Sequence, residues 1–136
     1  MTTQSYTLST QRQGFYKITA KVRDALQKSG VVSGICVVYC PHITGAITLN
    51  ENADPDVVHD LLLGLDSAFP EDKRFRHFEG NSTAHLKSGA TGVSQTVIVE
   101  NGDLLLGRWQ DLYFCEFDGP RTRTFYVKII EDVHRA

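Results

Sequence analysis

Apolar residues recur along this chain with two different periods, and the change of period divides it into elements. Residues 5–10 alternate loosely and predict an edge strand. Ile18, Val22, Ala25 and Leu26 follow at helical spacing, and Ser29-Gly30 supplies a stop signal. From Gly34 to Cys40 the run is β-branched and apolar at both odd and even positions, which predicts a strand buried on both faces. Pro41 ends it, because proline lacks the donor that a central ladder needs. A second strand is expected from Gly45 to about Glu51. Asp54-Pro55 then reads as a helix start, with Asp as N-cap and Pro at the first helical position. Val58, Leu61, Leu62, Leu65 and Phe69 continue that helix on one face, and Pro70 stops it. Residues 71–80 show no period, and a short helix is expected from about Asn81 to Lys87, ended by Ser88-Gly89. After Gly92 the pattern becomes β: Val93–Glu100 alternates, Asn101-Gly102 is the dipeptide favoured in tight hairpins, and Leu104–Phe117 and Thr122–Glu131 form further strands around an Asp118-Gly119-Pro120 turn. Strands and helices do not alternate as in a parallel βαβ fold. The expected class is α+β, a mostly antiparallel sheet or sheets packed with two to three helices.

Composition narrows what such a domain does. At 136 residues, with 41% hydrophobic and 22% charged, the chain is long enough for one core that folds without disulfides or structural metal. The net charge of −2 is spread without a basic stripe, which argues against nucleic acid and against a polybasic membrane anchor. Cys36, Cys40 and Cys115 are odd in number and lack CxxC spacing, so neither a disulfide framework nor a zinc ribbon is expected. The first residues show no basic region or apolar run, and no stretch is apolar enough to span a bilayer. These readings predict a cytoplasmic protein with reduced thiols and no membrane partner.

The candidate chemistry centres on histidine. His42 follows the proline that ends a buried strand and is expected at a strand tip. His77 and His85 flank Asn81 at four-residue intervals, so Asn81 and His85 share a helix face while His77 approaches from the preceding loop. Three neutral imidazoles meeting at one point suit zinc or a similar divalent ion. The same spacing also fits histidines that cap loops or bond to backbone, and no HExxH is present. His59 reads as a surface helix residue and His134 as solvated tail. Glu51 at a strand end and Glu116 on a late strand are candidates for general base, metal ligand or histidine partner, whereas Asp54 is committed to its cap. Arg121 and Arg123 follow a Gly-Pro turn where a guanidinium can clamp phosphate or carboxylate. Trp109 offers a ring for stacking or for core packing, and Ser82, Thr83 and Ser88 add hydroxyls near His85. There is no GxSxG elbow for a serine hydrolase, no Asp-rich magnesium motif and no Gly-rich phosphate loop.

Several long segments, in order, resemble the YjbQ-like family, which is often labelled secondary thiamine-phosphate synthase. They are Pro41 to Pro55 (PHITGAITLNENADP), Gly80 to Ser88 (GNSTAHLKS), Ser94 through Gln110, and Glu116 to Arg121 (EFDGPR). Arg108 departs from the family pattern, which has Thr there, and a larger cation at that point would narrow a pocket or add an anion contact. The resemblance implies a compact α+β domain and a homotrimer with its site near a subunit boundary. It implies a site holding His42, His77 and His85 as ligands of a divalent metal, zinc first. Around them Glu51, Glu116 and Asn81 are expected as catalytic groups, with Arg121, Ser88, Trp109 and Thr44 holding substrate or anion. The implied activity is a transferase joining a pyrimidine diphosphate to a thiazole phosphate, so the expected partner is a small phosphorylated molecule. A metal-dependent hydrolase or a small-ligand binding protein using the same pocket is the other reading.

Overall fold

The computed structural model describes residues 3–133, so His134 lies outside the described residues. Two antiparallel sheets carry the fold. β1 (Gln4–Thr10), β8 (Arg121–Glu131), β3 (Gly34–Tyr39), β5 (Ser94–Glu100) and β6 (Asp103–Leu104) form the larger, in that spatial order. β2 (Gly14–Lys17), β7 (Gln110–Glu116) and β4 (Gly45–Glu51) form the smaller, with β7 central. The helices are α1 (Thr19–Ser29), α2 (Pro55–Ala68) and α3 (Ser82–Thr91). The class is therefore the expected α+β. None of the described helices is long and apolar enough to cross a membrane.

The main core lies between the sheets. Phe125, Val127 and Ile129 of β8, Cys36 and Val38 of β3, and Val97 and Val99 of β5 face Leu112 and Phe114 of β7, Ile47 of β4, and Val22, Ala25 and Leu26 of α1. β7 is buried on both sides: its Cys115 turns away from this core into a smaller cluster with Ala46, Ala84 and Phe117. Ser88 of α3 closes that smaller layer by donating to the Gly45 carbonyl at 2.6 Å.

Punctuation in the sequence sets several boundaries. Gly30 takes a left-handed conformation (φ 69°) after α1, as a C-terminal glycine does. Asp54 accepts from the Asp56 amide, with Pro55 opening α2. Asn101 (φ 52°) and Gly102 (φ 77°) make the turn between β5 and β6, where two consecutive positive φ angles give the twist a tight hairpin needs.

Three expected elements differ in detail, and one strand was not expected. β3 is buried on one face only: Cys36 and Val38 point inward while Ile35 and Tyr39 remain on the surface. α2 has no fully buried residue, although its leucines recur at helical spacing. α3 does not stop at Ser88-Gly89 but runs on to Thr91, because Gly89 keeps helical backbone and the positive φ falls instead at Gly92 (φ 95°). β2, which was not expected, is only four residues long, too short to show a period, and pairs antiparallel with β7 from Gly14 opposite Glu116 to Lys17 opposite Tyr113.

Candidate functional site

β3 stops opposite Tyr126 of β8, and the chain then turns through Pro41 to Thr44 before β4 begins. Two residues along β8 from Tyr126, the Thr124 amide has no β3 carbonyl to meet. The His42 ring takes that place: Thr124 N–H donates to His42 Nε2 at 2.9 Å. This short link, the loop before α3, the first turns of α3 and the β7–β8 turn together enclose a cavity of about 410 Å³. His42, Thr44, His77, Glu79, Asn81, His85, Asp118, Arg121 and Arg123 line it.

Beneath it sits a closed ionic network. Glu116 is fully buried, and its carboxylate accepts from Thr10 Oγ1 (2.6 Å), Arg123 Nε (2.7 Å), Arg123 Nη2 (2.5 Å) and the Asp118 amide (2.8 Å). Burial pushes the Glu116 carboxyl up, but the bonds from Arg123, Thr10 and Asp118 outweigh it, and the group stays below the ordinary range. Arg123 Nη2 also donates to Thr44 Oγ1 at 2.9 Å and to the Thr44 carbonyl at 3.2 Å, which fixes the link that carries His42. Nearer the surface, Arg121 donates through Nη2 to Asp118 Oδ2 (2.9 Å) and through Nε to the Asp118 carbonyl (2.8 Å). Asn81 Nδ2 donates to the same Asp118 oxygen at 2.8 Å. Burial acts to raise the Asp118 carboxyl, and the Asn81 and Arg121 contacts bring it below the ordinary value. The Asn81 Oδ1 is buried without a partner.

His77 and His85 meet edge to face, with ring centroids 5.2 Å apart. His42 packs its ring edge against Phe114, 6.3 Å between centroids. Burial, and next the nearby Arg123 charge, push the His42 imidazolium below its usual pKa, so the ring is neutral near pH 7. Glu79, Asp118 and Glu116 more than offset Arg121 and Arg123 in formal charge. The lining therefore carries no net positive charge, and its guanidinium groups present directed N–H donors rather than a diffuse positive field.

The structure brings His42, His77, His85, Asn81, Arg121 and Thr44 together at this cavity, and separates the other expected residues from it. Glu116 lies under the floor with all its oxygens engaged, so it organises the site and has no access to a ligand. Ser88 is buried and spent on Gly45. Glu51 is at the opposite end of β4, on the order of 20 Å away at ~3.4 Å per strand residue. There it lines a second cavity of about 370 Å³ with Lys17, Asp54 and Tyr113, whose hydroxyl donates to the Glu51 carbonyl. Trp109 is 58% exposed beside Arg108, whose guanidinium stacks over its ring at 5.0 Å, and neither lines the histidine cavity. His59 is exposed beside Asp60. Glu79 and Asp118 line the cavity without having been singled out as site residues. Glu79 falls in an aperiodic stretch, and its one signal is its place between His77 and Asn81.

A metal on three histidines does not fit this geometry. His42 Nε2 accepts a backbone N–H, so in the neutral ring the proton sits on Nδ1 and no lone pair remains for a cation. Among the described residues, no group of three or more His, Cys, Asp or Glu side chains is arranged to hold a metal ion.

Comparison with known proteins gives one consistent result. A family model described as UPF0047 protein YjbQ-like matches residues 4–132. The UPF0047 protein YugU of Bacillus subtilis is 54% identical over 123 residues, covering 90% of this chain and 93% of that protein. A UPF0047 protein of Methanocaldococcus jannaschii is 51% identical over 121 residues, covering 89% and 88%. A crystal structure of a YjbQ/UPF0047-family protein from Clostridium acetobutylicum superposes with a TM-score of 0.91 at 52% identity, covering 93% of this chain and 99% of that one.

Proposed function

The chain belongs to the YjbQ-like UPF0047 family, and on that footing we propose that its histidine cavity binds a small phosphorylated molecule and carries out group transfer on it. The observation that carries this reading is the make-up of the cavity wall. Arg121 and Arg123 are held rigid by Asp118 and Glu116, and beside them His42 is fixed by the Thr124 amide. Donors already locked in place bind an anion without the ordering penalty of mobile lysines. Across the cavity, His77 and His85 lie in mutual contact and supply imidazoles for proton transfer to or from a reacting group.

The reaction proposed is the one the resemblance implies, joining a pyrimidine diphosphate to a thiazole phosphate with release of pyrophosphate. Negative charge develops on the departing pyrophosphate, and on this reading Arg121 and His42 supply the donors to it. Trp109, expected to stack on a heterocycle, is outside the cavity and has no part in this reading.

The test is product identity. Purified protein is incubated with the two phosphorylated heterocycles, with and without added divalent metal, and the products are separated by mass. A coupled product lost in Arg121→Ala and in His85→Ala is the expected result. Hydrolysis alone, with dependence on added zinc, would replace transfer by the hydrolase reading. Binding without turnover would leave a small-ligand binding protein.

A further inference from the structure

The two ring nitrogens of His42 have different fates. Nε2 accepts from the Thr124 amide, an interaction set by where β3 ends relative to β8. Nδ1 has no partner among the described residues, and it is not among the buried polar atoms left unpaired. Nδ1 is therefore solvent-accessible, and the cavity that His42 lines is the space beside the ring. A backbone N–H is always a donor, so the atom it meets must keep its lone pair, and the neutral imidazole then carries its proton on Nδ1.

We infer that His42 serves the cavity as a fixed Nδ1–H donor to an anionic oxygen, a phosphoryl or pyrophosphoryl group, and not as a metal ligand. This rests on the reading above that the ligand is phosphorylated, and it assigns the residue that orients the anion. Three features of the surroundings agree. Thr44, two residues on, is pinned by Arg123 through both its hydroxyl and its carbonyl, so the link has little freedom to swing the ring away. The Phe114 edge contact restricts the ring from behind. Metal binding at Nδ1 would require either an imidazolate or loss of the Thr124 bond, which leaves a partly buried backbone donor unpaired. The ring is also kept neutral by burial and by the charge of Arg123, so the tautomer is not erased by protonation near pH 7.

Two measurements on the full chain test this. Long-range proton–nitrogen NMR reads the tautomer directly, with the His42 ring assigned by its loss in His42→Asn. The expected spectrum has a protonated Nδ1 and an unprotonated Nε2, unchanged on adding one equivalent of zinc. Calorimetry with pyrophosphate in metal-free buffer then compares wild type, His42→Asn and His42→Ala. Asparagine places an amide N–H₂ near the Nδ1 position, so its affinity should stay within about threefold of wild type. Alanine should weaken binding roughly ten- to a hundredfold, the effect of losing one hydrogen bond to a charged group. An Nε2–H tautomer, or zinc-induced shifts at the His42 nitrogens, would overturn the inference even if wild type binds pyrophosphate normally. Equal affinity in all three proteins would do the same. Failure of wild type to bind pyrophosphate, with the tautomer as expected, would instead remove the phosphorylated-ligand reading and the anion role with it.

Discussion

A carboxylate that accepts four hydrogen bonds away from solvent has no lone pair left for abstracting a proton, and Glu116 is in that position. Its work is to hold Arg123, the Asp118 amide and the end of β1 in one arrangement. Glu116→Gln removes the charge that balances a guanidinium only 3% exposed as a residue, and breaking a buried pair from one side costs about 3–5 kcal/mol. Urea unfolding of that variant should show a loss of this size, and a loss below about 1 kcal/mol would mean the pair is hydrated in solution. His42 gives a pH prediction. Its folded pKa lies below the unfolded value, so as pH falls beneath about 6.5 the unfolded chain takes up the proton first. Stability contributed by the neutral ring is full above that value and declines down to the folded pKa. The acidic slope of the melting temperature in this window should flatten in His42→Asn. Glu116 acts lower: its depressed pKa gives stability that is present above the usual carboxylate range and lost as pH falls through the folded value.

Strand ends decide which side chains reach the cavity. β4 carries Thr44 just before its first residue and Glu51 as its last, so two residues close in sequence sit at opposite ends of the strand and line different cavities. The helix of α2 begins where Asp54 and Pro55 require, yet its leucine pattern does not lead to full burial, because only the thin β2–β7–β4 layer lies beneath it. β3 shows the converse. Its apolar residues on both faces read as a fully buried strand, but only the face toward α1 and β7 is covered. Pairing in this sheet is tight where β3 meets β8: a Cβ at Gly34 would lie 2.0 Å from the Ile130 carbonyl oxygen. Gly34→Ala must push the two backbones apart, and a destabilisation of about 1–3 kcal/mol or more is expected from chemical unfolding. An alanine variant as stable as wild type would show that the edge of β3 frays there.

At the scale of the whole molecule, the uncovered face of β3 has neighbours. Ile35 stands opposite Ile98 of β5 and Ile130 of β8, and Tyr39 stands opposite Tyr126, all at least 37% exposed. Contiguous apolar surface of this kind marks an interaction site. It is the surface on which self-association, including the homotrimer that the resemblance implies, is to be tested, because Tyr113, Phe114, Phe117 and Phe125 are buried within the chain itself. Light scattering at micromolar concentration should give three times the 15.2 kDa chain mass. Ile35→Lys with Ile130→Lys should reduce that mass, and an unchanged trimer would place the interface elsewhere. The amino-acid sequence by itself determined the α+β class, the start of α2, the β5–β6 turn and the placing of His77, Asn81 and His85 around the start of α3, whereas the grouping of His42 with them was implied by the family resemblance. The features determined by sequence depend on local period, capping and backbone preference, which act between neighbours in the chain. Only the tertiary structure decided that Glu116 is a buried support, that Glu51 and Trp109 lie apart from the cavity, and that His42 offers Nδ1 and not Nε2. Those facts depend on where strands end against one another and on which oxygens meet Arg123, and pairings between residues as distant as Thr10 and Glu116 or His42 and Thr124 leave no periodic trace in the chain.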